Sequence, residues 1–199
     1  MAKGSRDVIL RDRLQFDIDA TGNTALVYGR VDMSDYVSIV INEGLAIKEI
    51  RFQLRLPGTT TGIFPINLLG DNYASGQAGG MKIFATTTAY ENADDVGIAS
   101  PNVLCVQERS ATYATPNTTL PAADRQQNLV IETFFYGTPD LHPEGYDIVT
   151  DLLIGVCAFN CDNTAIVDNT VELDVMIIAE PKKITQKDLT QMLSQAQDL

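Results

Sequence analysis

Apolar and polar residues alternate with a period of two in short runs along most of the chain. Only the last fifteen residues change to a helical period. Leu14-Gln15-Phe16-Asp17-Ile18-Asp19 alternates as a half-buried strand does. The clearest run puts Ile50, Phe52, Leu54 and Leu56 on one face and Glu49, Arg51, Gln53 and Arg55 on the other, and Val171 to Ile177 repeats the pattern. Ile148 to Phe159 is apolar almost throughout, which predicts a strand buried on both faces or broken by a bulge at Gly155. The predicted strands are 14–19, 24–32, 45–56, 81–88, 102–109, 129–136, 147–159 and 170–179. Between the second and third, residues 34–44 carry conflicting signals. Ser34 and Gly44 suit the ends of a short helix, while the β-branched run Val37 to Ile41 suits extended chain. They are read as a structured connection.

Long turn-rich segments separate some of these runs: 57–80, which contains the apolar stretch Ile63 to Leu69, then 111–128 with Pro116 and Pro121, and 137–145 with Pro139 and Pro143. Pro181 is expected to break the last strand. Thr185 then caps a helix with Asp188 three residues on, and Leu189, Met192, Leu193 and Ala196 form one apolar stripe. So short a helix is marginal alone. It docks on its own sheet, docks on a neighbouring subunit, or frays.

Eight antiparallel runs with long connections fit an all-β, eight-stranded jelly-roll sandwich with a short C-terminal helix. Uniform tight hairpins would instead favour an up-and-down barrel. The organisation expected is an N-terminal arm over 1–13, the sandwich over 14–180 and a helical tail over 181–199. At 199 residues with 45% hydrophobic and 20% charged, the chain suits one domain with a full core. No apolar run reaches the length of a membrane-spanning helix, so membrane insertion is not expected, and residues 1–7 lack the apolar core of a signal peptide. Synthesis in a cytoplasm follows as an expectation.

Charge divides the chain. Residues 1–55 hold eight Lys or Arg against eight Asp or Glu, whereas residues 126–181 hold ten acids and no Lys or Arg, within a net charge of −12. A nucleic-acid-binding domain carries a dense basic patch. Here Lys3, Arg6, Arg11 and Arg13 are the candidates for weak contact with a polyanion, and Asp7 and Asp12 offset them. His142 is the only histidine and lies in a predicted surface turn, so Ser-His-Asp and multi-histidine metal sites are not expected. Cys105, Cys157 and Cys161 form no CxxC pair and read as small buried hydrophobes, with a Cys157–Cys161 disulfide or a metal site as alternatives. Asp94-Asp95, Asp162-Asn163 and Asp168-Asn169 read as turn residues, with a shared Ca²⁺ as the alternative. A carboxylate pair for glycoside hydrolysis is disfavoured, no enzyme activity is expected, and no cofactor is expected.

The order of these features, a short polar arm, eight strands with long insertions and a tail, resembles the single jelly-roll coat proteins of small tailless icosahedral viruses. Val31-Asp32-Met33-Ser34-Asp35-Tyr36-Val37, followed by Ile47-Lys48-Glu49-Ile50-Arg51-Phe52-Gln53, is similar to their opening strands. The resemblance implies a structural capsid protein of the virion, partnered by copies of itself in a homo-oligomeric shell. Any genome contact would run weakly through Lys3 to Arg13, because a strongly basic arm is missing. Subunit contacts would then use Arg51 and Arg55, the apolar Ile63 and Phe64, and Leu189, Met192 and Leu193 of the tail. A carbohydrate-binding, lectin-like jelly roll is the alternative function. The absence of Trp counts against it.

Overall fold

In the first strand Val8, Leu10, Asp12, Leu14, Phe16 and Ile18 turn inward, while Ile9, Arg11, Arg13, Gln15 and Asp17 face out. That two-residue alternation recurs through the chain and builds two antiparallel sheets. The computed structural model describes residues 7–70, 77–113, 129–136 and 145–195. One sheet joins β1 (Val8–Ile18), β9 (Asn169–Lys183), β3 (Glu43–Arg55) and β7 (Tyr146–Ile148), in that order. The other joins β2 (Thr24–Val31), β8 (Leu152–Phe159), β4 (Ala78–Thr86), β5 (Val103–Tyr113) and β6 (Leu129–Tyr136). Helix α1 (Gln186–Gln195) follows the last strand.

The pairings nest. β1 pairs with β9, β2 with β8, β3 with β7 and β4 with β5, all antiparallel, and β6 is added outside β5. Apart from β4, β5 and β6, which follow one another within one sheet, successive strands pass back and forth between the sheets, and the core forms where the two inner faces meet. Leu45, Ile47, Ile50, Leu173, Val175 and Ile177 from one sheet share a cluster with Met81, Ile83, Ala85, Leu152, Ile154 and Val156 from the other. Full burial of a large aliphatic or aromatic side chain stabilises by about 1.5–3 kcal/mol, so this interleaved cluster is the principal source of stability. A smaller cluster of Phe84, Val96 and Val106 lies on the opposite face of the second sheet, with Tyr28, Tyr90 and Tyr136 packed on it. Residues 93–96 are held above that face by Lys82, whose Nζ donates to the carbonyls of Ala93 and Val96 at 3.0 Å each.

Each of the eight predicted runs contains a strand, but three boundaries move. β1 begins at Val8, so residues 8–13 belong to the sheet and not to an arm, and Arg13 is drawn in by Asp174 of β9. The predicted 147–159 run is two strands. The chain bends at 149–151 and passes from one sheet to the other, where Asp151 accepts from the Met33 amide at 3.1 Å and pairs with Arg30. No bulge occurs at Gly155; its register with Phe84 is continuous with Ile83↔Val156 and Ala85↔Ile154. Pro181 does not end β9, which continues opposite Leu45, Gly44 and Glu43 to Lys183. The pairing of β9 with β1 stops at Ala179, so among the described residues no ladder partner is lost on that side through the missing proline N–H.

Candidate assembly surfaces

The outer face of the first sheet is a lattice of charge built by register. β9 runs between β1 and β3, so Asp174 lies between Arg13 and Gln53, and Glu172 between Gln15 and Arg55. Arg13 donates to both Asp174 oxygens, Nε at 2.6 Å and Nη2 at 3.2 Å, a bidentate pair. Arg55 Nη1 reaches Glu172 at 3.3 Å and Asp174 at 3.8 Å, and Gln15 Nε2 donates to Glu172 at 3.1 Å. The hydrogen bond from Arg13 holds the Asp174 carboxyl below the usual carboxylate range. Arg51 pairs with Glu49 on its own strand. Of the predicted surface cations, Arg13, Arg51 and Arg55 are thus neutralised within the chain. Arg11 is exposed on β1 without an ion pair among the described residues, while Lys3 and Arg6 lie outside the described residues.

The apolar loop 63–69 divides. Phe64 is 5% exposed and packs into the main core with the Arg109 guanidinium 5.8 Å from its ring centroid, so it is not a surface contact. Ile63 at 70% and Ile66 at 73% exposure point outward instead. The loop is anchored to 160–168: Asn163 N donates to Leu68 O at 3.1 Å, Asn163 Nδ2 to Asn67 O at 2.9 Å, and Gly70 N to Asp162 Oδ1 at 3.1 Å. Residue 22 joins them through Cys161 N to Gly22 O at 2.7 Å. Asp162 and Asn163 therefore serve as loop braces. The strand registers place these three connections at one end of the molecule. At the opposite end, the turn closed by Ser38 and Glu43 exposes Ile39, Val40 and Ile41, with Val40 at 92%.

The tail helix docks on its own chain. Thr185 accepts from Asp188 N at 3.2 Å and donates to the Asp188 carboxylate at 2.7 Å, which forms the predicted cap. Leu189 is buried against Val149 and Ile184, and Met192, Leu193 and Val37 complete that cluster. Leu189 is therefore an internal contact, with Met192 and Leu193 half-buried beside it. Ala196 lies outside the described residues.

Strand β6 is the surface that the sequence pattern concealed. Val130, Ile131, Phe134 and Phe135 are apolar on both of its faces, as in a strand buried from both sides, yet all four are exposed, at 38–46%. Phe134 and Tyr136 stack on one face at 5.9 Å, and Phe135 lies 6.1 Å from Phe52 on the other. Being last in its sheet is what exposes β6, and strand order is not legible in local periodicity.

The described residues hold no cluster of three or more His, Cys, Asp or Glu suited to a metal ion, and His142 lies outside them. All three cysteines are free thiols. Burial pushes Cys105 and Cys161 up to about 12, far from the reactive thiolate range. One cleft of about 360 Å³ runs between α1, β7 and residues 87 and 102. Asn102 Nδ2 and Asp147 Oδ1, a donor and an acceptor both buried without a partner, belong to residues of its wall, as do Tyr146 and Gln191. No protein-family model and no curated protein matches the chain.

Proposed function

We propose that this chain is a structural subunit, a single jelly-roll coat protein that self-assembles into a closed shell. The observation that carries the reading is the nested pairing of eight strands, β1 with β9, β2 with β8, β3 with β7 and β4 with β5. A long antiparallel hairpin rolled once gives this order, and β6 is an insertion at its margin. Jelly rolls of this kind serve in capsids and in lectins. Exposed apolar side chains at three separate places favour the building block: Ile63 and Ile66 at one end, Ile39 to Ile41 at the other, and β6 along one side. A shell subunit needs several unlike contacts, whereas a monomeric binding module needs one site. Genome contact in this reading is slight, because Arg13, Arg51 and Arg55 of the outer face are already paired with acids and only Arg11 there is without an ion pair among the described residues. The test is the size of the purified protein. Pentamers, hexamers or megadalton particles support the reading, and a monomer at micromolar concentration across a range of salt refutes it.

A second reading rests on the cleft beside α1. The Asn102 amide donor and one oxygen of the Asp147 carboxylate, whose other oxygen is held by Lys182 at 2.7 Å, lie beside a tyrosine and suit a hydroxyl-rich ligand such as a sugar. A glycan-binding screen tests it, and Asp147→Asn should abolish any binding found.

A further inference from the structure

Among the described residues the two sheets have four edge strands, and three of these edges are protected. β1 carries four charged residues, Arg11, Asp12, Arg13 and Asp17. β7 is only three residues long. β2 is irregular, with a register shift between Thr24 and Val27. Charge, shortness and bulges are the devices that keep sheet edges from pairing with other chains. β6 has none of them. It pairs with β5 in unbroken register over all eight residues, contains no Gly or Pro, and bears one charge, Glu132. Its far side has no strand partner among the described residues.

We infer that β6 pairs edge to edge with β6 of a second copy, antiparallel about a two-fold axis centred on Thr133. This inference rests on the assembly reading and names one contact within it. Charge selects both the partner and the register. Each copy carries a net charge of −12, so two copies meet with least repulsion along a segment almost free of acids. A two-fold axis perpendicular to the sheet keeps each face on its own side, so paired residues share parity. Only two such registers use seven of the eight residues. Centring on residue 132 sets Glu132 against its own copy, a destabilising like-charge pair. Centring on residue 133 sets Glu132 opposite the partner subunit's Phe134. It also sets Ile131 opposite the partner subunit's Phe135 and Val130 opposite the partner subunit's Tyr136. These are aromatic and β-branched pairs of the kind that stabilise sheets. The contact is isologous, so it closes as a dimer and leaves the two apolar ends for other contacts.

Position 133 opposes itself, which makes the test specific. Thr133 is exposed, so its replacement spares the core. In the full-length chain, Thr133→Lys and Thr133→Asp should each weaken self-association about fivefold, by sedimentation equilibrium at low salt. An equimolar mixture of the two should recover it. Under mild oxidation Thr133→Cys should give a disulfide-linked dimer, whereas Glu132→Cys and the unaltered protein should not. Association unchanged by either charge, weakening without recovery in the mixture, or cross-linking at 132 as readily as at 133 would each overturn the pairing. The two readings fail separately. Large particles indifferent to Thr133→Lys retain the shell and discard the β6 contact. A dimer that never grows, lost with Thr133→Lys, retains the contact and discards the shell. A monomer under every condition discards both.

Discussion

Gly155→Ala should destabilise the protein, although replacing a strand glycine by alanine ordinarily helps by about 0.5–1 kcal/mol. Gly155 of β8 lies opposite Phe84 of β4, and the Phe84 ring rests on the glycine. A Cβ there would sit 2.6 Å from both Cε1 and Cε2 of the ring, with Cζ closer still. Carbon atoms settle near ~3.5–4.0 Å, so the ring must retreat by roughly 1 Å or more. It has little room, being fully buried and held edge-on by Tyr28 at 5.8 Å and 86°. Overpacking of this kind costs about 1–3 kcal/mol, leaving a net loss of about 1–2 kcal/mol after the alanine gain. In a domain of this size that lowers Tm by about 3–6 °C. Urea unfolding followed by far-UV circular dichroism reads the loss, since the chain has no tryptophan. Phe84→Ala alone should cost about 3–5 kcal/mol. In that background the added methyl occupies vacated space, so the double variant should be about 1–2 kcal/mol more stable than the sum of the singles. A neutral or stabilising Gly155→Ala, or strict additivity with Phe84→Ala, refutes the reasoning.

Leu189→Ala should release α1 from Val149 and Ile184 without unfolding the sheets, seen as faster hydrogen exchange and proteolysis confined to residues 184–195. Deleting residues 182–199 should likewise leave the sheets folded, though weakened where β9 meets Glu43 and Gly44. The Asp174 carboxyl is held low by Arg13, so this pair stabilises the fold above the ordinary value of 3.8 and ceases to do so as pH falls through the lowered one. Asp174→Asn should therefore flatten the acid limb of the stability curve. Cys105 and Cys161 should resist a thiol reagent at pH 8 in the folded protein, with all three thiols labelling promptly in denaturant.

Strands that bury one face were legible because they repeat every two residues, from Phe16 and Ile18 to Val171 and Leu173. The tail helix was legible from Thr185 and Asp188, whose side chains form the cap that the spacing predicts. What was not legible depends on partners distant in sequence. The charges at Arg11 to Arg13 look like an arm until Asp174, far along the chain, is seen to hold Arg13 in a sheet. Gly155 looks like a bulge until Phe84 is placed across it. The apolar run after Tyr146 hides a corner, because the bend is flanked by buried residues, Ile148 before it and Leu152 after, and Val149 within it is buried too. Phe64 and Ile63 are neighbours of one apolar stretch, and only the packed core separates the buried one from the exposed one. The β6 run is legible as a strand, but its position at the edge is a property of the whole sheet.

The central claim, that these strands make a unit of a shell, is tested most directly by the mass of the native protein in solution, by light scattering or mass photometry across protein concentration and salt. Closed assemblies, from pentamers or hexamers to megadalton particles, are the expected result. A single species at 21.7 kDa under all those conditions would contradict it.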